Sequence, residues 1–232
     1  MTQSTTTRPA LATPGAGQGA GQGASPATTV LLASGAVAGP LFVAVAFLQV
    51  LTRDGFDLRH HPLSLLSLGA LGWIQIANFV LTGGLYVAGA VGMRRAMPAG
   101  RGRVWGPRLI GVFGGLLVWA GVFVADPAAG FPPGTPARAE AVGWHGVLHD
   151  IAPGFAFLVL AAACLVFARR FAAERRRGWV LGSVATLVGL FTPDLFLGRD
   201  WFTVVLALAA AVGWCWASLV AGRLLADTVR AR

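Results

Sequence analysis

Lysine is missing from this chain of 232 residues, and acids are scarce, with nine Asp and Glu against eighteen Arg. Charged side chains make up 12% of the sequence, about half of what a soluble domain carries. That scarcity excludes a water-soluble globular domain of this size. The two cysteines, Cys164 and Cys215, both lie in apolar runs. No disulfide framework or redox role is expected of them, only the behaviour of small buried hydrophobes. There is no glycine-rich phosphate loop with lysine, no CxxC pair and no GxSxG elbow, so the chemistries those motifs serve are not indicated.

Long apolar runs take the place of charge. Residues 30–51 carry no charged side chain. As a helix they would be about 33 Å long, enough to cross the hydrocarbon core of a bilayer. Comparable runs recur, and spans are expected near 30–51, 69–92, 109–126, 145–168, 179–197 and 201–222. The expected fold is all-α, an up-and-down bundle of six transmembrane helices. Residues 1–29 are Thr, Ser, Gly, Ala, Gln and Pro almost throughout. They read as a disordered cytoplasmic tail, residues 30–222 as the membrane domain, and residues 223–232 as a short basic cytoplasmic tail. Glycines in spans two and three are expected to let these helices approach their neighbours closely.

The net charge of +9 does not imply nucleic acid, because the arginines fall in short loops between spans. Fourteen of the eighteen lie on one side: five in loop 93–108, five in loop 169–178 and four in the tails. The positive-inside rule then places both termini in the cytoplasm of a multi-pass cell-membrane protein. Trp73, Trp105, Trp144, Trp179 and Trp201 lie near span ends, as an interfacial aromatic belt requires, whereas Trp119 is expected to pack mid-span.

All four histidines and seven of the nine acids fall on the opposite side. Five of these groups lie near the ends of spans three, four and five: Asp126, His145, His149, Asp150 and Asp194. They are the candidate site. His145 and His149 are four apart and share a helix face, a spacing that can hold one metal ion. With Asp126 they form a possible set of ligands for a divalent metal such as zinc. Asp150 sits about 100° around the helix from His149. Pro127 disfavours helix at Asp126, and Pro153 cannot donate to the carbonyl of His149. The competing reading is a structural polar network at the interface. His60-His61-Pro62 is either a surface turn or a group leaning over the cluster. The proline-rich loop 126–143 is either a stiff lid or an ordinary connector.

Two stretches carry a family resemblance: Val124-Ala-Asp126-Pro-Ala-Ala-Gly-Phe-Pro-Pro-Gly-Thr-Pro136 and His145-Gly-Val-Leu-His149. Together with the span ending in Met93-Arg94-Arg95, the chain from about Gly39 to its last span resembles the bacterial membrane proteins of domain-of-unknown-function family 998. The resemblance implies six membrane helices, with Asp126, His145 and His149 as motif positions, and implies no reaction. The residues therefore leave three functions open. One is a protein with an outward-facing His/Asp pocket of undefined activity. Another is a metal-dependent hydrolase or transferase acting on a lipid or isoprenoid. The last is a small-molecule carrier or binder without ion coupling, since ionisable groups are missing from the inner halves of the spans. The bilayer is the expected partner, with a lipid or small apolar ligand as a further one.

Overall fold

The computed structural model describes residues 25–137 and 143–231. Six α-helices follow in chain order: α1 (Pro26–Thr52), α2 (Gly72–Ala96), α3 (Trp105–Val122), α4 (Trp144–Ala173), α5 (Arg177–Phe191) and α6 (Phe202–Arg230). Each is long and apolar enough to cross a membrane, α5 together with the 3-10 turn Thr192–Phe196 that extends it. A second 3-10 turn, Leu63–Ser67, precedes α2. Each helix packs on the next, and α6 returns to α1, so the bundle is closed. No strand forms among the described residues. The protein is a multi-pass integral membrane protein, all-α as expected. One end of the bundle is its arginine end and the other its Asp/His end.

Local chemistry accounts for the helix limits. The Ser25 hydroxyl accepts from the Thr28 N–H, and Pro26 occupies the first turn of α1, where a missing N–H costs nothing. α1 thus starts four residues before the expected span, and the preceding residues of the expected tail lie outside the described part of the chain. α3 stops at Val122 rather than near Asp126, because the chain turns extended at Phe123, ahead of the Asp126-Pro127 pair that resists helix. α5 gives way to the 3-10 turn at Thr192-Pro193, where proline cannot continue the ladder. α6 runs on to Arg230, so most of the expected basic tail is a helical continuation of the last span.

Close helix contacts come from small residues, as expected for spans two and three. A Cβ on Gly114 would stand 2.6 Å from the carbonyl oxygen of Gly83, and one on Gly89 would stand 2.6 Å from the Cα of Gly35. Only glycine permits these backbones to touch, and in lipid such packing is a main source of helix association. A buried polar clamp adds to it. The Ser218 hydroxyl accepts from the Gly39 N–H and donates to the Gly35 carbonyl, both at 2.8 Å, while the Tyr86 hydroxyl donates to the Trp214 carbonyl at 2.6 Å. α1, α2 and α6 are tied at one level.

Candidate functional site

The Asp/His end is organised by the hairpin of α3 and α4. A helix leaves carbonyls unpaired at its C-terminus and N–H groups unpaired at its N-terminus. Here each helix end is satisfied by side chains from the other limb. His149, 1% exposed, donates from Nδ1 to the carbonyls of Ala120 (2.9 Å) and Phe123 (2.7 Å) at the end of α3. His145 donates from Nδ1 to the Val124 carbonyl at 3.1 Å. Trp119 donates from its indole N–H to the Leu148 carbonyl at 2.8 Å; the residue expected to be mid-span packing is a cross-link between the two helices. In the other direction, the Asp126 carboxylate accepts from the Gly143 N–H at 2.6 Å, at the N-cap of α4. A carboxylate there also meets the positive end of the helix dipole.

Gly146 makes this possible. A Cβ at that position would lie inside the van der Waals shell of Asp126 Oδ2 and 2.5 Å from its Cγ. The Gly-x-x-Gly spacing of 143 and 146 thus keeps the first turn of α4 open to the carboxylate. His145 completes the group, with Nδ1 at 3.5 Å from Asp126 Oδ1.

The five expected site residues do not converge. Asp126 and His145 are adjacent, and His149 lies one helical turn deeper with its Nδ1 committed to backbone carbonyls. Asp150 is exposed on the next face of α4, and Asp194 is exposed in the 3-10 turn after α5. Among the described residues, no group of three or more His, Cys, Asp or Glu side chains could hold a metal ion.

Beside the hairpin, α1 and α2 bury an amide ladder. Gln49 donates to Gln75 Oε1 at 2.8 Å, and Asn78 donates to the Phe42 carbonyl at 3.1 Å and to Gln75 Oε1 at 3.2 Å. Gln75 is fully buried.

The loops form a cap over this end. Arg53 donates to the carbonyls of Leu66 and Leu68 and stacks over Phe131 at 5.6 Å. His61 accepts at Nδ1 from the Asp57 N–H (2.9 Å) and donates from Nε2 to the Ala129 carbonyl (3.1 Å). Phe131 is buried against Leu65 and Ala125. The described part of the proline-rich loop is therefore clamped across the α1–α2 connection, and His61 helps to hold it there. At the exposed edge, Arg59 beside Asp57 holds that carboxyl well below the usual carboxylate range, chiefly through their side-chain hydrogen bond.

Beneath the cap lies a cavity of about 90 Å³. Leu63 of the 3-10 turn, Phe79 of α2, Leu117 and Ala120 of α3, Ala156 of α4 and Ala207 of α6 line it, among others, and the lining is almost wholly apolar. An apolar cavity of this kind stays dry and accepts apolar groups. Its floor is aromatic: Trp214 contacts Phe42 (5.9 Å between ring centroids), Phe113 (4.8 Å) and Phe157 (5.9 Å). On its α4–α6 side, Pro153, Phe157, Leu206 and Ala210 are half-buried, so it reaches the bundle surface there. Neither Asp126 nor His145 lines it. The sequence pattern does not single out this cavity, because its walls are ordinary span residues. The one local hint is alanine at 152 and 156 around Pro153, where small side chains face inward beside a backbone that cannot close its ladder.

No curated protein and no solved structure matches the chain. A family described as "Protein of unknown function (DUF998)" matches residues 36–223. That stretch takes in all of α2 to α5, most of α1 and α6, and both halves of the α3–α4 hairpin with Asp126, Gly146 and His149. The chain belongs to the DUF998 family.

Proposed function

We propose that this protein binds the apolar part of a lipid or similar small molecule in the cavity at the Asp/His end of the bundle. The observation that carries the reading is the lining. Five helices converge on one space, and alanines at 120, 152, 156, 207 and 210 leave room where larger side chains would close it. The half-buried α4–α6 edge supports entry from the bilayer. The Trp214 floor supports a blind site over a carrier, since transport needs a second opening on the far side. An enzyme acting on the bound molecule needs a reactive group at the cavity wall, whereas Asp126 and His145 are spent on joining α3 to α4. In this reading the hairpin clasp holds Ala120 and Ala152 at the right separation. The arginine partition supports a cell-membrane protein with both termini cytoplasmic and the cavity in the outer leaflet half.

Native mass spectrometry of the full-length protein, extracted from its own membranes into detergent, tests this. Wild type is expected to retain an apolar adduct. Ala156→Phe and Ala207→Phe, which fill the cavity from opposite walls, are expected to lose it while still unfolding cooperatively. An adduct stoichiometry that neither variant reduces below that of wild type would refute the proposal.

A further inference from the structure

The arginine end holds a second feature, at the corner between α4 and α5. Residues 169–177 carry five arginines and a single acid, Glu174. Glu174 is occupied: Arg170 pairs with it at 2.9 Å and Arg176 at 3.3 Å. Arg175 and Arg177 are exposed and have no side-chain partner among the described residues. Together with Arg176 they line a surface groove whose remaining wall is Ala172, Val180 and Leu181. The groove also borders the N-terminus of α5. That 15-residue helix has no side-chain cap and no acid in its first turn, and a Cβ on Gly178 would meet nothing within 4 Å. The first turn of α5 is thus without a side-chain acceptor at this end, where an anion is favoured by the helix dipole as well as by the guanidinium groups.

The apolar wall decides what kind of anion fits. Leu181 is 69% exposed, and Val184, Val188 and Phe191 continue from it along one face of α5 as an exposed apolar stripe. α5 is also the least buried of the six spans. A free phosphate would use the arginines and ignore this stripe. A phospholipid would use both, with its head at Arg175–Arg177 and a chain along α5.

We infer that the α4–α5 corner is a binding site for an anionic phospholipid, its phosphate held by Arg175 and Arg177 beside the Glu174-paired Arg176 and one acyl chain laid along Leu181, Val184 and Val188. Native mass spectrometry of the full-length protein in detergent, titrated with dioleoyl phosphatidylglycerol, dioleoyl phosphatidylcholine or inorganic phosphate, tests this. Phosphatidylglycerol is expected to be retained well above phosphatidylcholine. The pair Arg175→Gln with Arg177→Gln should weaken that retention about 30-fold, from the roughly fivefold that each basic residue contributes near a charged membrane surface. Arg175→Lys with Arg177→Lys, which keeps the charge, should restore much of it. Arg94→Gln with Arg95→Gln, in the last turn of α2 at the same end of the bundle, should leave it unchanged. Equal retention of the two lipids would overturn the assignment, as would an equal loss in the Arg94/Arg95 variant. Inorganic phosphate competing as well as the lipid would reduce the corner to a free-anion site and overturn the lipid assignment.

Discussion

Gly146→Ala sets two effects of opposite sign against each other. Helix propensity alone says that alanine in α4 should stabilise by up to about 1 kcal/mol over glycine. The geometry says otherwise. The new methyl would occupy the space of the Asp126 carboxylate, with its Cγ only 2.5 Å away. Asp126 is tied by a 2.6 Å hydrogen bond to the Gly143 N–H, so relief requires that bond to break or α3 and α4 to separate. A hydrogen bond to a charged group contributes about 1.5–3 kcal/mol, and the carboxylate at a helix N-terminus adds about 0.3–1 kcal/mol. Offset by the propensity gain, the expected net loss is about 1–3 kcal/mol. Equilibrium unfolding of the full-length protein in mixed micelles, followed by the fluorescence of its eight tryptophans, measures it. The decisive comparison is a double-mutant cycle with Asp126→Ser. With the bulkier carboxylate gone, Gly146→Ala should become neutral or stabilising, which gives a coupling of similar size to the single-mutant loss. If Gly146→Ala stabilises the wild-type background, or if the two losses simply add, Asp126 and Gly146 do not form a clasp.

The other predictions concern separate parts of the bundle. Gly39→Ala would place a methyl 2.5 Å from the Trp214 carbonyl oxygen and 2.8 Å from the Tyr86 hydroxyl, so it should cost about 1–3 kcal/mol in the same unfolding assay; Gly84→Ala, which meets nothing within 4 Å, should cost nothing. Arg53→Leu removes the donors to the Leu66 and Leu68 carbonyls; hydrogen exchange at residues 65–68 should speed up while exchange in α2 and α3 does not change. Cys164 is fully buried and Cys215 lies mid-span in α6; a membrane-permeant maleimide reacts with the thiolate, so in a bilayer both should stay unmodified in the folded protein and be labelled only on unfolding. For Asp57 the folded-state value is depressed by Arg59, so its stabilising effect on the 57–61 turn is present above the ordinary carboxylate value, about 4, and is lost as pH falls below it. Hydrogen exchange of the Arg59 amide, which donates to Asp57 at 2.9 Å, should show this loss on acidification, and Asp57→Asn should remove the pH dependence.

Six spans, their approximate limits and the sorting of arginine from histidine and aspartate were all legible in the chain. Each rests on a one-dimensional physical rule. A bilayer demands about 20 apolar residues per helix, and proline breaks helix at such places as Pro127 and Pro193. The motif positions Asp126, His145 and His149 were also legible, and their placement at one end of the bundle follows from span length alone. Their partners were not. Nothing in the spacing of His149 says that its ring meets the carbonyls of Ala120 and Phe123, because those acceptors belong to every residue and carry no sequence signal. Gly146 looks like any other span glycine until Asp126 is placed against it. Asp194 lies at the same end but on a turn that faces outward, a direction set by how α5 packs and not by its hydrophobicity. The cavity is the extreme case. Ala120, Ala156 and Ala207 are interchangeable with many other span residues until closure of α6 on α1 brings them around one space. Composition and periodicity made this a six-helix membrane protein. Only the tertiary contacts decided that its polar end is a helix-end clasp and that its open space is apolar, because the partners of unpaired backbone groups and the gaps in packing exist only between helices.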